Sequence, residues 1–287
     1  MFTLIIDIIK TIIYGIIEGI TEWLPVSSTG HLILFEELFW KGTNPSFMEM
    51  FRVVIQLGAI LAVIIMFFNK LNPFSPKKDR LQKKSTWEMW IKVIIACLPA
   101  AVIGLPFDDK LDSIFYNFIT VAITLIIYGI IFVVIESSKH KEPRVNDISQ
   151  MSYKTALIIG AFQLLALIPG TSRSGITIIG AMLLGCSRTV AAEFSFFLAI
   201  PVMFGASLLK CVKYAKEIAD GEIAMLTVDE GIILVVGMVV AFAVSMLAIK
   251  FLMEYVKKRD FKPFGYYRIA LGIILLIYYF VFERGIA

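Results

Sequence analysis

The sequence has few histidines and cysteines, and this scarcity excludes two kinds of site. Of its 287 residues, only two are histidine and three are cysteine. Cys97, Cys186 and Cys211 show no paired spacing, so we expect no disulfide framework, and a zinc site would lack ligands. The sequence also lacks a GxxxxGK[ST] loop, which argues against a nucleotide-dependent enzyme.

The chain is also poor in charge and has no long polar block. Charged residues make up 17% of it and hydrophobic residues 59%, against about 45–50% apolar residues in soluble domains. With a mean hydropathy of +0.84, these values predict an integral membrane protein with a single domain, residues 1–287. The net charge of +4 does not indicate nucleic-acid binding, because the basic residues lie in short loops between apolar runs. The N-terminus lacks the features of a cleaved signal peptide, so we expect it to stay in the mature protein.

Six apolar runs are long enough to cross about 30 Å of hydrocarbon, which takes about 20 residues. They lie near 48–68, 88–106, 114–136, 188–209, 230–250 and 264–283. Loops rich in Lys and Arg favour the cytoplasm, and the basic loops here lie near 70–84, 139–154 and 250–262. The loop that carries Asp108, Asp109 and Asp112 and the mixed loop 213–222 are therefore predicted to lie outside.

Two similar segments, 15–34 and 160–179, match without a gap at an offset of about 145 residues. The aligned pairs are Gly15 with Gly160, Glu18 with Gln163, Ser27 with Ser172, Thr29 with Ser174 and Gly30 with Gly175. Both segments break an apolar run with Pro, Ser and Gly. Membrane proteins use duplicated broken helices to build a site at the repeat interface, near the bilayer midplane. We predict internal repeats of approximately 1–137 and 138–287.

Each duplicated segment has two apolar arms around its break, 3–24 with 30–40 and 154–168 with 175–186. The arm 30–40 is too short to cross a bilayer, so we predict re-entrant helical hairpins whose tips are buried in protein. The charge rule does not exclude the alternative in which 3–40 forms two complete spans. With the loops placed as above, the two hairpins enter from opposite sides. The predicted fold is an all-α membrane protein with six transmembrane helices and two re-entrant hairpins, arranged as inverted-topology repeats.

Glu18 and Glu22 lie four residues apart, so their carboxylates share one helix face in an otherwise apolar run. A charge at membrane depth costs on the order of 2.5–3.5 kcal/mol on the insertion scale, so both need a cation or water as partner. A solvated or interfacial helix face is the simpler alternative. Hard oxygen ligands of this kind suit Mg²⁺ or Ca²⁺ that bridges to a phosphate, and we predict both residues as metal ligands.

The first break is a hydroxyl cluster followed by Gly and His. Its candidates for binding a phosphate through backbone amides at a helix N-terminus are Ser27, Ser28, Thr29 and Gly30. Helix capping by Ser or Thr is the alternative. His31 is the one histidine outside a polar loop, and it is a candidate nucleophile or acid/base.

The second break carries Arg173, flanked by serines and glycines. A membrane-embedded arginine offers planar donors that clamp a phosphate, whereas a snorkelling arginine at the interface is the alternative. The other candidates for phosphate binding in this break are Gly170, Thr171, Ser172 and Ser174. Gln56 and Glu193 lie in neighbouring runs, and we expect them to support the polar cavity from there.

Together the two breaks supply carboxylates, hydroxyls, an imidazole and a guanidinium, which suits phosphoryl chemistry on a lipid. A transporter or flippase of a lipid phosphate is a rival, because inverted repeats with broken helices are typical of transporters. An acid-phosphatase-like lipid phosphatase is a second rival. That chemistry needs a second histidine, and only His140 remains, in a charged loop.

At these motifs the sequence closely resembles the bacterial undecaprenyl pyrophosphate phosphatase family, also called the bacitracin-resistance protein family. The resemblance rests on the segments EGITEWLPVSSTGHL, FRVVIQLGAILAV, LIPGTSRSGITI and SRTVAAEFSFFLAIP, which are spread over both halves. It implies removal of the terminal phosphate of a polyprenyl pyrophosphate with a divalent cation, in recycling of the lipid carrier for peptidoglycan synthesis. It also implies a multi-pass protein of the bacterial plasma (inner) membrane whose active cavity opens to the outer, periplasmic side.

The family motifs then fall on particular residues. Its acidic motif falls on Glu18 and Glu22, and its Pro-Gly-x-Ser-Arg-Ser-x-x-Thr motif adds Thr177 to the phosphate-binding set. We expect Arg173 to hold the pyrophosphate. The nucleophile is left open between Ser28 assisted by His31 or Glu22, His31 itself, and activated water. The oligomeric state is also left open, and a homodimer is compatible with the sequence.

Overall fold

A computed structural model describes residues 2–40, 45–104, 114–115, 117–138 and 142–283. Within these ranges the chain is helical and forms no strand. Its longer helices are α1 (Phe2–Thr21), α2 (Ser28–Phe39), α3 (Pro45–Met66), α4 (Arg80–Pro99), α5 (Phe118–Ser137), α6 (Tyr153–Gln163), α7 (Arg173–Leu183), α8 (Arg188–Ala219), α9 (Val228–Tyr255) and α10 (Lys262–Tyr278). Shorter helical pieces are Phe68–Leu71, Ala100–Gly104, Ile148–Gln150, Leu164–Leu167 and Tyr279–Glu283.

Six helices in the described ranges are long and apolar enough to cross a membrane. They are Pro45–Met66, Arg80–Gly104, Phe118–Ser137, Arg188–Ala219, Val228–Tyr255 and Lys262–Val281, which confirms the six predicted runs. Large apolar side chains such as Ile65, Phe204 and Leu247 are more than half exposed on the outer faces of these helices. Such a surface is expected where the surroundings are lipid and the backbone polar groups are satisfied within each helix. The chain is therefore an all-α multi-pass membrane protein.

Polar side chains in the loops start two of the spanning helices. Asp79 and Gln82 form a reciprocal capping box at the start of α4, and Thr227 and Glu230 form another at the start of α9. These caps satisfy amides that have no partner in the first turn of a helix. Six residues on which loop predictions rest lie outside the described residues, namely Asp108, Asp109, Asp112, Lys139, His140 and Lys141.

The helices of the two halves of the chain pack against each other. Helix α1 packs on α9 and α6 packs on α4, while α3 packs on α8 and α5 on α10. The α6–α4 contact is close enough that a Cβ at Gly160 would lie 2.2 Å from the carbonyl oxygen of Ala96. Only glycine fits at that position. The helices that precede the two breaks are thus packed against helices of the other half.

The two breaks have the same backbone shape. Ser27 precedes α2 with φ 72° and ψ 101°, and Ser172 precedes α7 with φ 71° and ψ 110°. These are the two non-glycine residues with positive φ in the described chain. Positive φ is costly for a residue with a Cβ and persists where the surrounding structure enforces it. The aligned segments therefore share a strained conformation as well as a sequence pattern.

Candidate active site

The tips of the two broken helices touch each other. The Glu22 carboxylate accepts a hydrogen bond from Arg173 Nη2 at 3.0 Å, across 151 residues of sequence. The hydroxyl of Ser174 donates to the backbone carbonyl of Glu22 at 3.0 Å. Ser174 and Arg173 begin α7, and Glu22 follows directly after α1. Glu22 of the first break and Arg173 and Ser174 of the second thus belong to a single polar cluster.

A cavity of about 220 Å³ lies where the tips meet. At about 30 Å³ per water molecule it has room for roughly seven waters, which is the scale of a diphosphate group. Its polar wall includes Glu22, Ser27, Ser28 and Thr29 from the first tip and Gly170, Ser172, Arg173 and Ser174 from the second. Gln56 reaches it from α3, as expected, and Leu167, Val202 and Met203 form an apolar wall. The cavity therefore joins a polar end to an apolar side.

Ser28, Glu22 and Arg173 form a hydrogen-bonded chain in this cavity. The hydroxyl of Ser28 donates to Glu22 Oε2 at 2.8 Å, and the other oxygen of Glu22 accepts from Arg173. Ser28 and Glu22 are both buried. A hydroxyl within reach of a carboxylate that a third group orients is the arrangement of an activated nucleophile.

The guanidinium of Arg173 is held in place by hydrogen bonds, but one of its N–H groups has no partner among the described residues. Its Nη1 donates to the backbone carbonyl of Ser195 in α8 at 2.9 Å, and the guanidinium lies 5.8 Å from the centre of the Trp23 ring. Its Nε is buried and has no hydrogen-bond partner among the described residues. An arginine in this state has a donor to give to an anion in the cavity.

Glu18 lies behind Glu22 and is fully buried. Neither of its carboxylate oxygens has a hydrogen-bond partner among the described residues. In that part of the chain no group of three or more His, Cys, Asp or Glu residues could hold a metal ion. Mg²⁺ is typically held by one or two carboxylates together with substrate phosphates and water. The buried, unpartnered carboxylate of Glu18 and the nearby carboxylate of Glu22 are the groups that would hold a cation of this kind.

Two helix N-termini open on the cavity, α2 at Ser28 and α7 at Arg173. Ser172 caps α7 by accepting a hydrogen bond from the amide of Gly175 at 3.1 Å. Ser27 makes no such side-chain bond at the start of α2. The first amides of a helix bind anions when no side chain caps them, so the start of α2 is the better anion site of the two.

His31 does not line the cavity. Its Nδ1 donates to the carbonyl of Ser27 at 2.8 Å, because a carbonyl oxygen can only accept. In the neutral ring Nε2 then carries a lone pair, and it accepts from the hydroxyl of Tyr267 at 2.6 Å. The two rings are stacked with centres 5.5 Å apart. Both ring nitrogens are thus engaged, Nδ1 in the first turn of α2 and Nε2 in holding α2 against α10.

Five other expected site residues also lie outside the cavity wall, and one of them is Glu18, behind Glu22. A Cβ at Gly30 would lie 3.0 Å from a Leu125 methyl group, so this glycine serves the packing of α2 on α5. Thr171 and Thr177 are fully buried, and the hydroxyl of Thr177 bonds Ser195 Oγ at 2.7 Å. Glu193 pairs with Lys70 at 2.5 Å. It lines a different cavity of about 370 Å³.

Gln163 and Arg268, like Thr21 of the cavity wall, were not among the sequence candidates. Gln163 is buried in the cavity wall, and its amide oxygen and nitrogen have no partner among the described residues. Arg268 is fully buried behind both tips. Gln163 aligns with Glu18 in the duplicated segments, and Arg268 is a charged residue inside the apolar run 264–283. The alignment with Glu18 and the charge in an apolar run are the sequence features that could have indicated Gln163 and Arg268.

Comparison with known proteins identifies the family of the chain. The model of the family described as bacitracin resistance protein BacA matches residues 11–274. The undecaprenyl-diphosphatase of Acetivibrio thermocellus is 60% identical over 276 residues, which cover 96% of this chain and 98% of that protein. The undecaprenyl-diphosphatase of Enterococcus faecalis is 61% identical over 272 residues, or 94% of this chain and 96% of that protein. The chain belongs to the bacitracin resistance protein BacA family.

Proposed function

We propose that the chain is an undecaprenyl-diphosphatase, a hydrolase that removes the terminal phosphate of undecaprenyl pyrophosphate. The observation that carries this proposal is the chain of hydrogen bonds from Ser28 through Glu22 to Arg173 in a buried cavity. The relatives named above support it, because their similarity covers nearly the whole chain. The products are undecaprenyl phosphate and inorganic phosphate, so the enzyme recycles the lipid carrier of peptidoglycan synthesis and confers bacitracin resistance.

The walls of the cavity match the two parts of such a substrate. The diphosphate fits the polar end, where Arg173 and the uncapped amides of α2 offer donors. Thr29, Gly170, Ser172 and Ser174 complete that end. The first isoprene units fit the apolar wall of Leu167, Val202 and Met203, and the remaining chain extends into lipid.

In the proposed reaction, Ser28 Oγ attacks the terminal phosphorus and transfers its proton to Glu22. The bond between that phosphorus and the bridging oxygen breaks, and undecaprenyl phosphate leaves with the bridging oxygen. Arg173 stabilises the charge that develops on the transferred group. Water then attacks the phosphorus of the phosphoserine, the bond from that phosphorus to Ser28 Oγ breaks, and phosphate leaves while Ser28 Oγ takes back the proton from Glu22. His31 is assigned a positioning role on α2, because its two ring nitrogens bond Ser27 and Tyr267.

We also propose a divalent cation, Mg²⁺ or Ca²⁺, held by Glu18 and Glu22. The support is the pair of buried Glu18 oxygens without partners next to a second carboxylate. When bound, the cation would neutralise charge on the diphosphate. Glu18 stays outside the proton transfer, since Ser28 bonds Glu22.

Hydrolysis is favoured over transport as the primary activity. Ser28, Glu22 and Arg173 are arranged for nucleophilic chemistry, which a flippase does not need. The two tips also carry different side chains, since Glu18 aligns with Gln163 and Glu22 with Leu167. A transporter that alternates between equivalent states has no use for that asymmetry.

Phosphate release from undecaprenyl pyrophosphate by the purified, detergent-solubilised protein tests the function. We expect one phosphate per substrate molecule, and we expect chelation of divalent cations to stop release until Mg²⁺ or Ca²⁺ is added back. In detergent there is no sidedness, so release under these conditions cannot come from transport. Absence of release with cation present would contradict the proposed function, and release unaffected by chelation would contradict the cation alone.

For the membrane arrangement, we propose inverted repeats of about 1–137 and 138–287, each with one re-entrant hairpin. The packing supports this arrangement. In the repeat, α1 corresponds to α6 and α9 corresponds to α4, so the α1–α9 contact of one half corresponds to the α6–α4 contact of the other. The α3–α8 and α5–α10 contacts each join a helix to its counterpart in the other half. The shared conformation of Ser27 and Ser172 points the same way.

The re-entrant hairpins are supported by lengths and by contacts between their ends. With 12 and 11 residues, α2 and α7 extend about 18 and 16 Å, far less than the hydrocarbon thickness of about 30 Å. Arg144, before α6, donates its amide to the carbonyl of Gly185, after α7, at 2.9 Å. The Tyr14 hydroxyl in the middle of α1 bonds Glu36 near the end of α2 at 2.7 Å. Each second arm therefore runs back beside the first.

The proposed location is the bacterial inner membrane, with the basic loops in the cytoplasm and the cavity open to the periplasm. The support for this orientation is the set of Lys and Arg residues in loops 70–84 and 250–262. The outer faces of the helices are apolar enough for lipid or for a second copy of the chain. A homodimer stays a prediction.

Cysteine labelling in cells tests the second hairpin and the orientation together. In a chain whose three cysteines are replaced by alanine, we expect Glu222→Cys to react with an impermeant maleimide added outside. Lys154→Cys and Thr189→Cys, at the two ends of the hairpin, should react only after the cells are opened, because a re-entrant hairpin returns to its own side. Labelling of Thr189→Cys from outside while Lys154→Cys stays protected would show that the segment crosses the bilayer.

A further inference from the structure

Arg268 touches both tips at once. It lies in α10 and is fully buried. Its Nη1 donates to the carbonyl of Pro25 at 3.3 Å in the first break. Its Nη2 donates to the carbonyls of Gly170 and Thr171 in the second break, at 2.9 and 2.8 Å. One guanidinium therefore joins the backbones of two segments that are about 145 residues apart.

The bonded carbonyls lie just before the two strained serines. Thr171 directly precedes Ser172, and Pro25 stands two residues before Ser27. A positive φ at a serine is maintained only when the surrounding contacts enforce it. The next residues along the chain are Ser28 and Arg173, which begin α2 and α7. Arg268 thus bonds the backbone just ahead of both residues.

The charge of Arg268 has no carboxylate partner among the described residues. The groups around its guanidinium are the rings of Tyr128 and Phe132, with centres 5.9 and 6.0 Å away. Its Nε has no hydrogen-bond partner in the described chain. A buried cation without an anion is costly, and neutral amides would satisfy the same carbonyls. The retained charge is explained if an anion occupies the adjoining cavity.

We propose that Arg268 is a positioning residue for the diphosphatase reaction, which clamps the two tips together and adds positive potential to the cavity without touching the substrate. This inference rests on the proposed function. It assigns two separable roles to one side chain. The fork of N–H groups holds the geometry of Ser28 and Arg173, and the charge favours binding of the diphosphate.

Two substitutions separate these roles. Arg268→Lys keeps the charge but loses the planar fork, so we expect kcat to fall by about 100-fold with KM changed less than about threefold. Arg268→Gln loses the charge as well, so we expect a similar fall in kcat and a rise in KM of about 10-fold. Arg188→Lys is the matched control, because Arg188 pairs with Glu136 away from the cavity. That variant should keep both constants within about twofold.

Binding of inorganic diphosphate, measured as a rise in the melting temperature of the purified protein, is a readout independent of turnover. We expect this rise to be reduced in Arg268→Gln and retained in Arg268→Lys. Equal loss in both variants would overturn the role of the charge, and kcat of Arg268→Lys within twofold of the parent would overturn the clamp. A variant that no longer elutes as a single species would also overturn the inference, since it would show a residue needed for the fold. If the parent protein released no phosphate, the proposed function would fail while the binding readout still tested Arg268.

Discussion

Arg173→Ala should lower the rate of phosphate release by about a thousandfold or more. The guanidinium supplies charge to the transferred phosphoryl group, and an arginine in that role is worth about 10³–10⁵ in rate. Arg173 also orients Glu22 through the 3.0 Å bond to its carboxylate. Its removal therefore affects both the acceptor of the Ser28 proton and the stabilisation of the transition state. Turnover of purified Arg173→Ala on undecaprenyl pyrophosphate measures the effect.

Two further variants make this result interpretable. Arg173→Lys keeps the positive charge, but an ammonium group cannot bond both Glu22 and Ser195 as the planar guanidinium does. We therefore expect an intermediate loss of about 100-fold in the rate of phosphate release. Arg52→Ala removes an arginine that pairs with Glu36 outside the cavity, and its rate should stay within about threefold. Near-normal turnover in Arg173→Ala that elutes as the parent does would contradict the proposed mechanism.

The membrane spans could be predicted because each apolar run has to match one length, the thickness of the hydrocarbon layer. All six predicted runs correspond to helices of the structure. Helix ends were less predictable, because helical structure continues where the membrane ends. The run near 188–209 becomes a helix that continues to Ala219, and Lys210 in this extension pairs with Glu49. Charged residues end a hydropathy signal without ending a helix.

Within the site, contacts between residues close in sequence could be predicted, whereas contacts between distant residues could not. Glu22 and Ser28 are six residues apart in one motif, so their meeting at 2.8 Å follows from a tight break. The contact between Glu22 and Arg173 depends on how the two broken helices pack against each other. The duplication indicates only that the two breaks occupy equivalent positions in the repeats. His31 shows the limit of local reasoning. It lies in the same motif as Ser28, yet its partner Tyr267 is 236 residues away.

Arg268 was missed for a related reason. A charge in an apolar run indicates a functional residue at Glu18 and Arg173, where a motif surrounds it. No motif surrounds Arg268, and its proposed role depends on the carbonyl groups of Pro25, Gly170 and Thr171. Backbone carbonyls are present at every residue, so sequence patterns carry no information about which of them a buried guanidinium will bind.

Ser28→Ala should lower turnover by at least about a thousandfold and remove the phosphorylated enzyme intermediate. The hydroxyl of Ser28 is the one nucleophile-type group that bonds the Glu22 carboxylate in the described structure, at 2.8 Å. Loss of a nucleophile of this kind costs on the order of 10⁶ in kcat in a well-studied hydrolase, and we expect a loss of at least about 10³ here. With substrate labelled in the terminal phosphate, a short turnover followed by an acid quench should leave label on Ser28.

The chemistry of the trapped label separates the three nucleophiles. A phosphoserine survives acid, whereas a phosphohistidine is lost in acid and survives base, so parallel quenches distinguish Ser28 from His31. We expect His31→Gln to lower turnover by less than Ser28→Ala and to keep the acid-stable label, because His31 bonds Ser27 and Tyr267 outside the cavity. An acid-labile label would assign the attack to His31. Sustained turnover of Ser28→Ala without any label would assign it to water, with Glu22 as the base, and would limit Ser28 to binding the phosphate.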